Sequence, residues 1–164
     1  MTIQAGDTFP SVTLKRLGAG GMEDLDIAAY IKGRRVVIFA VPGAFTPTCN
    51  NQLPGYVEQA DAIRGGGVDE ILCVAVNDPF VMQHWGEVNK TAGKVTMIPD
   101  GNAALTKALG MDFDGGGHGL GTRSKRYVMV VANGKVESID VEASPGNLDV
   151  TAAGACVSKI KNAA

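Results

Sequence analysis

Cys49 closes the stretch Val41-Pro42-Gly43-Ala44-Phe45-Thr46-Pro47-Thr48-Cys49, and its surroundings suit a nucleophile. The run before it, residues 36–40, is short, apolar and rich in β-branched and aromatic side chains, which predicts a buried strand. After it, Leu53, Tyr56, Val57, Ala60 and Ile63 recur at helical spacing. Cys49 therefore falls where a strand gives way to a helix. Unpaired N–H groups and the macrodipole at a helix N-terminus favour an anion, so this thiol is expected to ionise below the value of about 8.5 of a free cysteine.

Neighbouring residues sharpen that expectation. Pro42 and Pro47 remove backbone donors and stiffen the turn, and Gly43 permits tight packing or an unusual dihedral. Thr46, three residues before Cys49, can bring a hydroxyl beside the sulfur. A lone cysteine in such a place is ordinarily a small core residue. The full string outweighs that reading.

Pro42-x-x-x-Thr46-x-x-Cys49, within Pro-Gly-Ala-Phe-Thr-Pro-Thr-Cys, resembles the active-site signature of the peroxiredoxins, in the wording of their type II, or fifth, subfamily. The resemblance continues in Leu53-Pro54-Gly55-Tyr56, in Val76-Asn77-Asp78-Pro79-Phe80-Val81-Met82 and in Arg123-Ser124-Lys125-Arg126-Tyr127, and so covers nearly the whole chain. One departure stands out. Asn50-Asn51-Gln52 supplies three residues between the cysteine and Leu-Pro-Gly where the family has four. Removing one helical residue rotates the downstream part of the helix by about 100°, which predicts a distorted opening turn.

The resemblance implies a thiol-dependent peroxidase acting on hydrogen peroxide and small alkyl hydroperoxides, with Cys49 as the attacking sulfur. Such a site must keep sulfur ionised and stabilise charge spreading over two oxygens. Arg126 is the expected cation, because guanidinium is charged at any working pH and offers a planar fork of donors. Arg123 is a candidate for a supporting role. The resemblance further implies that Thr46 hydrogen-bonds peroxide or thiolate and that Pro42 shields the sulfenic acid formed on Cys49.

That sulfenic acid must be reduced by a thiol. Cys73, in the middle of an apolar strand, reads as a buried inert thiol. Cys156 lies near where some type II members carry a resolving cysteine, and an external thiol, glutathione with glutaredoxin or else thioredoxin, is the other route. Both stay open.

Rival readings are weaker. A thiol–disulfide oxidoreductase needs Cys-x-x-Cys, and Thr46 occupies the partner position. A non-catalytic redox sensor or interaction protein would use the same cysteine but react slowly and without turnover. The glycine-rich residues 115–121 lack the Lys-Ser/Thr ending of a phosphate loop. No motif ties His84 or His118 to Cys49, and no spacing of Cys and His suggests a metal or cofactor.

Composition sets the outer bounds. The chain's 164 residues, 45% hydrophobic and 20% charged, predict one globular domain over residues 1–164 with a sizeable core. A net charge of −2 gives no general attraction to nucleic acid or anionic membrane. No apolar run is long enough to span a bilayer and no signal peptide is recognised, so the cytoplasm is the expected compartment. Three cysteines argue against a structural disulfide framework.

Along the chain, alternation predicts a strand at residues 11–17, a short helix at 24–30, and then the central strand and the Cys49 helix, stopped by three glycines at 65–67. A buried strand is expected at 69–76, with Asp78 as N-cap and Pro79 at the first position of the next helix. Residues 94–98 read as a strand, 103–109 as a helix capped by Asn102, and 111–123 as irregular. Asn133-Gly134 between residues 126–131 and 135–141 signals a hairpin, and 150–160 a final helix. This order predicts an α/β fold with a mixed central sheet flanked by helices. The resemblance supplies its name, a thioredoxin-like fold with the peroxiredoxin's N-terminal additions, and through the 78–85 segment it implies a homodimer.

Overall fold

A computed structural model describes residues 2–163. The chain begins with an antiparallel hairpin of β1 (Thr13–Gly18) and β2 (Gly21–Asp26), followed by the short helix α1 (Ile27–Ile31). The expected helix at 24–30 is thus half strand. Leu25 is buried while Met22, Glu23 and Asp24 are exposed, and cross-strand pairing with β1 wins over the weak helical pattern. Asp26 accepts from Ala29 N at 3.2 Å and starts α1 in its place.

Next come β3 (Arg35–Val41), α2 (Pro47–Glu58), α3 (Ala60–Gly65) and β4 (Glu70–Ala75), then α4 (Pro79–Val88) and β5 (Thr96–Pro99). At α4 the expectation holds: the Asp78 carboxylate accepts from Phe80 N and Val81 N, and Pro79 opens the helix. Helix α5 (Ala104–Ala108) is capped otherwise than expected. The buried Asp100, and not Asn102, accepts from Leu105 N and Thr106 N, with Ala103 turned into the left-handed region. The glycine-rich stretch hides a small ladder, β6 (Asp112–Asp114) against β7 (Thr122–Ser124). The chain ends with β8 (Tyr127–Ala132), β9 (Lys135–Val141) and α6 (Ala153–Ala163).

Five strands form the central sheet in the order β5-β4-β3-β8-β9. Strand β3 runs parallel to β4 and antiparallel to β8, so the sheet is mixed. Asn133 and Gly134, at φ 48° and 79°, make the tight turn between β8 and β9.

Alternation along β3 divides the core. Val37, Phe39 and Val41 point to one face, where they meet Leu53 and Tyr56 of α2, Trp85 of α4 and Ile160 of α6. Val36, Ile38 and Ala40 point to the other, packing with Ile27, Ile31, Leu105 and Leu109. Period-two alternation on a sheet covered on both sides makes β3 apolar throughout. Its C-terminal end delivers the chain to Cys49.

Candidate active site

The loop leaving β3 is held from several sides. Ala44 N donates to Asn77 Oδ1 at 2.9 Å, and Arg123 donates to Val76 O at 3.3 Å and to Pro42 O at 3.5 Å. Gly43 packs closely: a Cβ there would come within 2.9 Å of Nη1 at the end of the Arg123 side chain, which would have to shift. The unusual dihedral falls instead on Phe45, whose φ of 65° costs a non-glycine residue about 1 kcal/mol.

Helix α2 starts without the expected distortion. Pro47 is its first residue, Asn50 N donates to Thr46 O at 2.8 Å, and the helix is continuous to Glu58. Shortening the segment after Cys49 leaves the helix continuous, with only the bond that the interior Pro54 cannot donate missing from its ladder, and changes which residues share its face. Cys49, Gln52, Leu53 and Tyr56, at i, i+3, i+4 and i+7, are the buried positions. The helical path yields later, at Gln59, between α2 and α3.

Cys49 is 0% exposed. Arg126, at the threshold of β8 and 2% exposed, donates from Nη2 to Cys49 Sγ at 3.3 Å. Three further bonds fix it in place: Nη1 donates to Gln52 Oε1 at 2.6 Å, while Nε and Nη2 donate to Pro145 O at 3.1 and 2.9 Å. Gln52 and Pro145 offer neutral oxygens, and among the described residues no carboxylate pairs with this guanidinium. The strand thus brings a fixed buried cation to the first turn of α2.

The remaining candidates take different positions. Pro42 is buried directly after β3. Thr46 is partly buried, and its hydroxyl donates to Gly43 O at 2.8 Å. Cys73, on β4, is fully buried, and burial first, then the nearby Cys49, push its thiol well up, against a smaller opposing effect of Arg126. Cys156, on α6, is pushed up to about 11, chiefly by burial. All three cysteines are free. His84 and His118 are exposed, and among the described residues no three His, Cys, Asp or Glu side chains are grouped to hold a metal.

Sequence reasoning gives Gln52 no role beyond its place just before Leu-Pro-Gly, although its position three after Cys49 puts it on the same helical face. Its amide bridges Arg126 and Thr151 O, the latter at 3.1 Å. Trp85 reads from sequence as a structural residue of the segment tied to a dimer contact, yet its Nε1 donates to Asn50 Oδ1 at 2.8 Å, beside the nucleophile candidate. A cavity of about 690 Å³ lies elsewhere, against α4 and the N-terminal hairpin and lined by Arg16, Glu23, Met82 and Lys90 among others. Convergent chemistry and not volume marks the site.

A strand, a proline-bounded turn and a buried cysteine on a helix facing a fixed arginine define a thiol-centred redox site on a thioredoxin-like fold. The redoxin family model matches residues 4–156, and the chain belongs to that family. It is similar to Peroxiredoxin-2C of Oryza sativa subsp. japonica, 41% identical over 142 residues, covering 85% of this chain and 88% of that protein. Peroxiredoxin-2B of Arabidopsis thaliana is 37% identical over 153 residues, 92% and 94% of the two chains. Among solved structures, reduced Prx3 of Vibrio vulnificus in complex with hydrogen peroxide superposes with a TM-score of 0.91 at 43% identity, covering 97% of this chain and 99% of that one. Within the family the relatives are peroxiredoxins of the second and fifth types, and the protein is an oxidoreductase of that kind, a thiol-dependent peroxidase.

Proposed function

We propose that Cys49 is the peroxidatic residue and that hydrogen peroxide and small alkyl hydroperoxides are its substrates. The thiolate attacks one peroxide oxygen in line, the S–O bond forms as the O–O bond breaks, and the second oxygen leaves as hydroxide or alkoxide and takes up, by way of solvent, the proton that the thiol released. Sulfur is oxidised by two electrons to the sulfenic acid and the peroxide is reduced. The Arg126 Nη2 to Cys49 Sγ contact at 3.3 Å carries this reading. A fixed donor array in a buried site stabilises charge on the sulfur and on both oxygens without reorganising. The Thr46 hydroxyl, whose hydrogen is given to Gly43 O, keeps lone pairs to accept from a peroxide O–H. Pro42 limits water at the sulfenic acid.

The reductant is an external thiol, glutathione with glutaredoxin or thioredoxin. An internal partner must attack as a thiolate. Cys73 and Cys156 are both buried, with thiols held protonated at neutral pH. One external thiol condenses with the sulfenic acid, releasing water and leaving a mixed disulfide, and a second displaces Cys49 as thiolate.

A homodimer is supported by an exposed apolar stripe on α4, where Phe80, at 65% exposure, and Val88 lie on one side with His84 between them, next to exposed Phe45. The free thiols suit a reducing compartment, which we take to be the cytoplasm. No helix among the described residues is long and apolar enough to cross a membrane. The two-faced sheet spanning the sequence supports reading residues 1–164 as one domain.

Rapid-quench alkylation and mass spectrometry after mixing reduced protein with hydrogen peroxide test the mechanism. Loss of the Cys49 thiol far faster than that of a free thiolate, with the protein about 16 Da heavier (one oxygen added) in the absence of added thiol, is the expected result. A rate no better than that of a free thiolate would sink the enzymatic assignment of Cys49 and favour slow, non-catalytic sensing. An internal disulfide that disappears in Cys156→Ser would overturn the external route.

A further inference from the structure

The loop of residues 143–151 between β9 and α6 is exposed over most of its length, yet its carbonyls hold the groups around Cys49. Pro145 O accepts from Arg126 Nε and Nη2, and Thr151 O accepts from Gln52 Nε2 at 3.1 Å and Tyr56 Oη at 2.6 Å. Gly146 O accepts from Thr48 Oγ1 at 3.3 Å. A loop with so little apolar packing needs another anchor to keep these acceptors in place.

Glu142 provides it. The residue is buried just after β9, and its N–H donates to Arg126 O at 3.0 Å. Its Oε2 accepts from Asp149 N at 2.9 Å, Thr151 N at 2.8 Å and Thr151 Oγ1 at 2.7 Å. The carboxylate of Glu142 therefore ties the far end of the loop to its near end, and the same residue's backbone N–H ties that near end to the arginine's own backbone. Burial works to raise the Glu142 pKa, but hydrogen bonds from Thr151, Asp149 and Val150 outweigh it and hold the carboxyl below its ordinary range. The ionised form is the one that fits three donors.

The geometry points to Glu142 as a positioning residue for peroxide reduction, acting through the 143–151 loop to hold Arg126 and Gln52 at Cys49. It rests on the assignment of Cys49 and Arg126 made above. Without the loop, Arg126 loses Pro145 O and keeps only Gln52 Oε1 and the sulfur, while Gln52 itself loses Thr151 O. Displacement of an orienting group by about 1 Å costs about 10²-fold in rate.

The test compares wild type, Glu142→Ala and Glu142→Gln by the bimolecular rate of Cys49 oxidation and by the NMR signal of the Arg126 Nε–H, which reports its bond to Pro145 O. Glu142→Ala should react at least about tenfold more slowly and show a fast-exchanging Nε–H. Glu142→Gln, which keeps an acceptor oxygen, should recover part of both. A wild-type rate in Glu142→Ala overturns the proposal, as does a slower rate with the Arg126 signal unmoved. If Glu142→Ala does not fold, Glu142→Gln and Thr151→Val carry the test, and wild-type rates in both overturn it. Peroxidase activity that survives Cys49→Ser would instead fail the underlying assignment, so the two failures are distinguishable.

Discussion

Arg126 gives the site its charge and much of its geometry, so its substitutions separate the two. Arg126→Met removes both and should lower the bimolecular rate with hydrogen peroxide by about 10²- to 10³-fold, as loss of a preorganised donor does elsewhere. Arg126→Lys keeps the charge but cannot span Cys49, Gln52 and Pro145 together, and should recover only part of that loss. Stopped-flow competition for peroxide checks both, and a wild-type rate in Arg126→Met would remove the residue from the mechanism. Cys49, Thr46, Pro42 and Arg126 can be picked out from sequence because each stands in a recognisable local string. Glu142 cannot, and for Gln52 the string shows a place before Leu-Pro-Gly but no role. Gln52 meets its guanidinium partner 74 positions away, and Glu142 acts through a loop whose sequence carries no chemistry of its own.

At the level of elements, the strongest local signals match the structure. Asn133-Gly134 forms its hairpin turn with both residues at positive φ, and Gly134→Val should therefore cost about 1 kcal/mol or more, seen as a lower midpoint in thermal or urea unfolding with peroxidase chemistry intact. Weak signals fail where a partner strand decides the outcome. β2 is unreadable as a strand because only Leu25 of Gly21–Asp26 is buried, and β6 and β7 are three-residue strands inside a glycine-rich stretch. Helix α2 is legible in place but not in extent, since the expected single helix to the glycines at 65–67 breaks at Gln59, and the shortened segment misleads about its opening turn. On α4, Phe80→Glu puts a charge on the exposed apolar stripe and should convert the proposed dimer to monomer in analytical ultracentrifugation. An unchanged mass would send the dimer contact to another surface.

Across the whole molecule, the sheet separates the end where β3 leads into the Cys49 helix and Arg126 enters β8 from an opposite end tied by Glu70. There the carboxylate accepts from Tyr30, Arg34 and Thr96, joining α1, β4 and β5. Burial works to raise the Glu70 pKa, yet those hydrogen bonds and the charge of Arg34 leave it below its ordinary 4.5, as Glu142 is. With the folded values depressed, the unfolded chain binds more protons, so stability rises with pH through this window. The contribution is complete above about pH 4.5 and is lost as pH falls through the folded values. Urea midpoints between about pH 7 and about pH 3 should fall in wild type and fall less in Glu70→Gln. The chain's single tryptophan, Trp85, is held by one hydrogen bond to the residue after Cys49. Any change at the sulfur that shifts the first turn of α2 alters the polarity around that indole, so the intensity and colour of its emission should follow the redox state of the protein in real time. The enzyme carries its own optical gauge, and Asn50→Ala should dim the signal without silencing the chemistry.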